Sequence, residues 1–470
     1  MDRRIHVLLL TSLIMGSVYV HAANEDYSAM LQDIDNIRQQ EHISALVVLI
    51  TDNKQTLLSR ALGKPNHNSD EALTLHHYIR IGSVSKMFIG IALTQLQETH
   101  KINLNMPVSS VVDNAPFENS WSKDHPVRIA HLMEHTAGLT DMSRKEFSFN
   151  TPVSLEEAFN IGPNSRRLRW RPGLHSSYSN SGAGIAAYVI EQTTGSSFES
   201  FVRNQVFKPM GLASATYIPT EQVLTDLVTG YNTDGKTSIP YWHTLYRAFA
   251  GINVRSSEMI RVVQMYLSNG IIDGKRVFNE QTIRRMETPR TSLAARSGLE
   301  YGYSLGLYHF IHGGFEFIGH GGDADGYLSY LAYSRSLQLG YFVFINAYNG
   351  KAMSNIREII EDKLIENAPA PEKPESFPLN KEKMRQIAGT YVPVTYRFGS
   401  APSSKTIQIT EDQGELYTIQ GGRRRKLIAV SSTHFRRSND PVATIAIIQN
   451  GAEYTLQGDL GNFKKKTASN

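Results

Sequence analysis

Ile81-Gly82-Ser83-Val84-Ser85-Lys86-Met87-Phe88-Ile89-Gly90 runs from a small-residue turn into an apolar, helix-forming stretch. A serine at the first turn of a helix and a lysine three residues later project from one face, so the nitrogen of Lys86 can reach the hydroxyl of Ser83. Unpaired backbone N–H groups and the positive end of the helix dipole also favour negative charge at that position. The spacing recurs at Ser120 and Lys123, within Asn119-Ser120-Trp121-Ser122-Lys123-Asp124, where the surroundings read as a polar loop. Spacing alone therefore does not choose between the two.

Upstream, Ile43 to Ile50 is a β-rich apolar run that Asp52-Asn53-Lys54 turns back into Thr56 to Arg60, which predicts a hairpin. Helical patterns follow at Met87 to Thr99, Ile129 to His135, Gly184 to Thr194 and Ser256 to Leu267; strand patterns return at Tyr303 to Phe310, Phe315 to Ile318, Leu328 to Ser334 and Leu339 to Ile345. Strands at both ends with helices between predict an α+β domain whose first strands pair with its last. Glu366 to Glu375 is Pro-rich and charged and reads as an extended linker. Beyond it, alternation at Lys405 to Thr410, Glu415 to Gln420, Lys426 to Val430 and Ala443 to Ile448 predicts a small β-barrel or sandwich between Asn380 and Phe463.

The chain has 470 residues, 41% hydrophobic and 20% charged, with a net charge of +4 and no cysteine, which excludes disulfides and thiol nucleophiles. Arg3 and Arg4, an apolar run to Met15 and then Val20-His21-Ala22 follow the order of an export signal cleaved after Ala22; an uncleaved anchor is the alternative. Export to a periplasm is the expectation. The divisions expected are therefore a signal peptide at 1–22, a main domain at 23–366, a linker at 367–379 and a barrel-like domain at 380–470. Basic clusters at Arg166, Arg167, Arg169 and Arg171, at Arg423 to Lys426 and at Lys464 to Lys466 read as solvated surface. No nucleic-acid-binding module accompanies them, and weak attraction to anionic envelope polymers or acidic peptides fits them better.

Two further stretches carry groups that a nucleophilic serine needs, a base and oxyanion donors. Pro172-Gly173-Leu174-His175-Ser176-Ser177-Tyr178-Ser179-Asn180 places a phenol and an amide on a loop before the helix expected near Gly184. Gly319-His320-Gly321-Gly322-Asp323 sets glycines beside a strand, where a substrate backbone can approach and a neighbouring N–H can complete an oxyanion hole. His312-Gly313-Gly314 repeats part of this pattern between two strand runs and reads as a hairpin turn.

Taken in order, Ser83-x-x-Lys86, Tyr178-x-Asn180 and His320-x-Gly322 resemble the serine β-lactamase and penicillin-binding-protein superfamily, in its class C and DD-peptidase-like branch. Val127 to Leu139, Ile190 to Gly195 and Val206 to Leu212 extend the resemblance, which covers about Ile43 to Asn349. The order also removes Ser120 from contention. The resemblance implies an antiparallel sheet flanked by helices, with a helical subdomain, and an acyl-enzyme on Ser83. It implies that Lys86 and Tyr178 share acid–base work, and that Asn180 orients Lys86 and the substrate amide. Backbone N–H groups of Ser83 and Asp323, beside Gly322, would form the oxyanion hole. Many members carry Lys where this chain has His320; a histidine, partly charged near neutral pH, resembles DD-peptidase, D-aminopeptidase and esterase members. The substrates implied are D-amino-acid peptides, peptidoglycan-derived ones among them, with a carboxylesterase of the same fold as the alternative and β-lactam hydrolysis less favoured.

Two rival readings remain. His131-Leu132-Met133-Glu134-His135 matches the His-x-x-Glu-His spacing of some zinc peptidases, although the resembling family uses no metal or cofactor there. A catalytically silent relative that binds through its C-terminal module is the other.

Overall fold

The computed structural model describes residues 26–143, 146–397 and 404–466. The expected leader lies outside them. Among the described residues no helix is long and apolar enough to cross a membrane.

Six antiparallel strands form the main sheet: β1 (Ala45–Asp52), β2 (Thr56–Gly63), β3 (Tyr308–His312), β4 (Phe315–Ala324), β5 (Tyr327–Ser334) and β6 (Leu339–Ile345), in the order β2-β1-β6-β5-β4-β3. The first strand thus pairs with the last, Leu46 opposite Ile345 and Val48 opposite Val343. Alternating side chains of β1 serve both faces, which is why the run reads as uniformly apolar. Val47 and Leu49, with Phe342 and Phe344, pack against Phe88 and Ile91 of α2 (Lys86–Glu98), Ile185 of α4 (Asn180–Thr194) and Val262 of α5 (Met259–Leu267). Leu46, Val48 and Ile50 face Met30 and Ile34 of α1 (Ser28–Gln40) and Ile356 and Ile360 of α6 (Gly350–Ile365). The short α3 (Ile129–Met133) lies in the helical layer on the first of these faces.

Glycines account for two departures from the expected strands. Gly302 (φ 148°) and Gly306 (φ 85°) take backbone conformations that interrupt the Tyr303 to Phe310 run, so β3 begins only at Tyr308. Conversely, β4 continues through His320 and Gly322 to Ala324, and does not end at Ile318. A Cβ at Gly322 would fall 2.0 Å from the carbonyl oxygen of Ile81, so glycine is what lets β4 pass against the turn holding Ser83. Gly313 and Gly314, both at positive φ, form the two-residue turn between β3 and β4.

Eight antiparallel strands between Gly389 and Lys465 close into a barrel, the first pairing with the last through Tyr391 and Lys465. Tyr391, Ile407, Ile409, Phe435, Ile447 and Leu456 fill it. The Pro-rich stretch forms no helix or strand but follows the barrel surface, Phe377 N–H donating to Ala429 O at 2.8 Å.

Candidate active site

Ser83 lies in a 3₁₀ turn, Gly82–Ser85, that feeds directly into α2. With three residues per turn, positions i and i+3 eclipse, and the Lys86 amine sits 2.9 Å from Ser83 Oγ. Tyr178 OH donates to the same oxygen at 3.0 Å. Lys86 Nζ also donates to Phe249 O at 3.2 Å and lies over the rings of Tyr178 and Phe249. Lys86 is fully buried, and loss of solvation holds its pKa well below that of an ordinary lysine. Burial moves the Tyr178 phenol the other way, well above its usual range. The two shifts run in opposite senses, making the amine easier to deprotonate and the phenol harder, which suits one to take a proton and the other to give one.

Asn180 behaves differently from expectation. It opens α4, four residues earlier than Gly184, because Ser179 caps the helix by accepting from Gly182 N–H. Its backbone N–H and its side-chain amide donate to the two oxygens of Asp141, at 2.8 and 3.3 Å. Its hydrogen bonds thus go to Asp141 and not to Lys86, and the buried Oδ1 has no partner. The Asp323 nitrogen runs beside the nucleophile turn: a Cβ at Gly82, itself at φ 53°, would fall 2.5 Å from it.

His320 corrects a second expectation, that of a partly charged group facing substrate. It is 3% exposed, its Nε2 is bonded to Tyr303 OH and its Nδ1 to Gly321 O at 2.6 Å. Burial is the main cause that lowers its pKa to about 3, so the imidazole is neutral. Tyr303 in turn packs against Tyr178 and His135. The His320 ring lies against both Tyr303 and Tyr178, with centroids 5.6 and 6.3 Å away.

The zinc reading fails on geometry. Helix α3 ends at Met133, and His135, at φ 56°, turns away to pack on Tyr178 and accept from Ser179 N–H. His131 accepts from Arg128 N–H. Among the described residues no group of three His, Cys, Asp or Glu side chains is placed to hold a metal.

Glu134 is instead a structural anchor. It is 1% exposed and accepts from Arg285 Nη2 at 2.6 Å, from the N–H groups of Arg290 and Thr291 at 2.8 Å each, and from Thr291 Oγ1 at 2.7 Å. Glu134→Ala would strand a partly buried guanidinium and two backbone donors. The expected cost is about 3 to 5 kcal/mol, read as a fall of roughly 10 °C in Tm by thermal unfolding.

Asp141 and Arg397 were not legible in the sequence. Arg397 comes from the barrel, beyond its first strand; its Nε donates to Asp141 Oδ2 at 2.6 Å and its guanidinium lies over the Tyr178 ring, 4.6 Å from the centroid. Its side chain is 44% exposed whereas that of Asp141 is buried. The barrel also grips the loop that carries Tyr178. Gln457 donates to Leu174 O at 2.8 Å, Asn462 to Ser176 O at 2.8 Å, and Trp170 to Val394 O at 3.0 Å. No local pattern marks a residue whose partner lies 256 positions away.

Ser120 and Lys123 lie in the loop after Phe117, and no hydrogen bond joins them. The pair at 83 and 86 alone meets the phenol.

Known proteins are similar to this chain in sequence and in fold. Penicillin-binding protein 4 of Amycolatopsis lactamdurans is 23% identical over 324 residues, spanning 65% of this chain and 81% of that protein. The fold matches a β-lactamase/D-alanine carboxypeptidase from Pseudomonas syringae with a TM-score of 0.59 at 16% identity, over 73% of this chain and 99% of that one. It also matches the octameric penicillin-binding protein homologue from Pyrococcus abyssi, TM-score 0.63 at 18% identity, over 94% of this chain and 100% of that one. Since residues 31–362 match the family described as Beta-lactamase, and the Ser83, Lys86 and Tyr178 side chains converge inside that span, this chain belongs to the Beta-lactamase family.

Proposed function

We propose that the protein is a serine hydrolase that forms an acyl-enzyme on Ser83 and cleaves amide bonds of D-amino-acid peptides. The observation that carries this reading is the convergence of Lys86 Nζ and Tyr178 OH on Ser83 Oγ, at 2.9 and 3.0 Å. Oγ attacks the carbonyl carbon while its proton passes to the Lys86 amine, which burial makes easier to hold in its basic form. Backbone N–H groups of Ser83 and Asp323 hold the oxyanion. As the C–N bond breaks, Tyr178 gives its proton to the leaving amine and recovers one from Lys86; water then releases the acyl group.

His320 is neutral, so the positive charge that orients a substrate carboxylate is assigned to Arg397, contributed by the barrel. Arg397→Ala is expected to raise KM for a peptide with a free C-terminal carboxylate about ten- to hundredfold, the worth of one charge-assisted hydrogen bond. KM for the matching C-terminal amide should not change, and Arg397→Lys should recover part of the loss. Equal effects on both substrates would make Arg397 a brace for Asp141 and nothing more.

The Pseudomonas syringae protein of similar fold is described as a β-lactamase/D-alanine carboxypeptidase, which supports this substrate class. An alternative, carboxylester hydrolysis, is favoured by the uncharged His320. In the same reading, residues 1–22 direct export to the periplasm, 23–366 form the hydrolase unit, and 380–470 the barrel unit joined through 367–379. The test is mass spectrometry after exposure to a fluorophosphonate and to benzylpenicillin, with D-Ala-D-Ala peptides and short-chain esters as substrates. An adduct on Ser83 with peptide cleavage is the expected result. A fluorophosphonate adduct with ester turnover alone selects the esterase, and no adduct on Ser83 rejects both.

A further inference from the structure

A cleft of about 290 Å³ borders the loop that leads to Tyr178, through Arg171, Pro172 and Leu174, and Arg128, Arg290 and Arg296 line it with His125, His131 and Asp124. None of the four arginines makes an ion pair among the described residues; Asp124, the single carboxylate lining the cleft, is beyond ion-pair distance of each. Two of them are held by backbone oxygens. Arg296 Nη1 donates to Gly173 O and Thr291 O, both at 2.5 Å, and Arg128 Nη1 to Asn105 O. Neutral acceptors fix a guanidinium without cancelling its charge, so two of the four arginines keep preorganised positive groups at the cleft. His131 adds none, since burial and then Arg128 and Arg296 lower its pKa to about 3.

We propose that this cleft is a binding site for a phosphoryl group, separate from the Ser83 site. The four arginines line it from three segments of chain: Arg128 before α3, Arg171 from the Tyr178 loop, and Arg290 and Arg296 from the stretch that Glu134 anchors. A planar carboxylate engages one fork, whereas a tetrahedral phosphoryl group offers oxygens in several directions. The position gives the site a route to the reaction. Arg171 and Leu174 precede Tyr178 by seven and four residues, and α3 presents His131 to the cleft and leads to His135, which packs on the Tyr178 ring.

Calorimetry and thermal unfolding of the full chain in low-salt buffer, with pyrophosphate as the probe, test the site. Wild type is expected to bind, with Tm rising by about 2 °C or more at saturation. Arg171→Gln and Arg290→Gln should each weaken binding about tenfold or more, while Arg423→Gln on the barrel surface should leave it unchanged. Phosphatidylglycerol vesicles in a parallel arm distinguish a lipid headgroup from a soluble phosphate, and binding to either that the two cleft variants lose supports the site. The proposal is overturned if neither probe binds, if Arg423→Gln weakens binding as much as the cleft variants, or if citrate binds as tightly as pyrophosphate.

Discussion

Ser83→Ala is expected to leave a folded protein whose turnover has fallen by roughly 10⁴-fold or more, with no covalent adduct from a fluorophosphonate or a penicillin. The size of the loss follows from the arrangement around Oγ. Lys86 and Tyr178 both meet that one oxygen, so without it neither has a substrate-directed task. Residual activity would come only from oxyanion donors and substrate binding, which Ser83→Ala leaves in place. The fold should be unaffected, since the turn is held by Gly82 and by β4 and not by the hydroxyl. Measurement of kcat/KM together with intact-protein mass spectrometry decides the matter: a persistent adduct would move the nucleophile elsewhere.

Lys86→Met should lower acylation by about 10² to 10⁴-fold, the usual worth of a positioned general base, and should also change two pH profiles. Burial holds the Lys86 pKa well below its unfolded value. The amine is a base only above its folded pKa, so the acid limb of kcat/KM in wild type should fall tenfold per pH unit below it and disappear in Lys86→Met. For stability the sign is set by proton uptake. Between the folded pKa and the unfolded value near 10.5, the unfolded chain binds a proton that the folded chain does not. Stability therefore rises with pH across that window, by up to about 1.4 kcal/mol per unit for one proton. Denaturant unfolding at a series of pH values should show that component in wild type and not in Lys86→Met. Equal slopes in the two proteins would mean that Lys86 is charged in the folded state.

Much of the fold was legible because burial leaves periodic marks. The β1 run, the α2 run and the late strands read correctly from apolar patterning, and the Gly-Gly turn at 313–314 from its position between two strands. Element ends were less legible. Gly302 and Gly306 shorten β3, while Gly322 lets β4 continue, and the same residue type acts in opposite senses according to what lies against it. Asn180 opens α4 early because the Ser179 cap outweighs the glycine that follows.

By itself the sequence determined which serine to consider, since Ser83, Lys86, Tyr178 and His320 occur in family order and Ser120 does not. It also determined that a separate β unit follows a Pro-rich stretch. Only the tertiary structure decided the electrostatics: that Lys86 is stripped of water, that His320 is neutral and turned to Tyr303, and that Asn180 is bound to Asp141. It alone brought Arg397 over Tyr178. The physical reason is that local patterns record a residue's own helix or strand, whereas charge state depends on the solvent and partners that the whole chain removes or supplies.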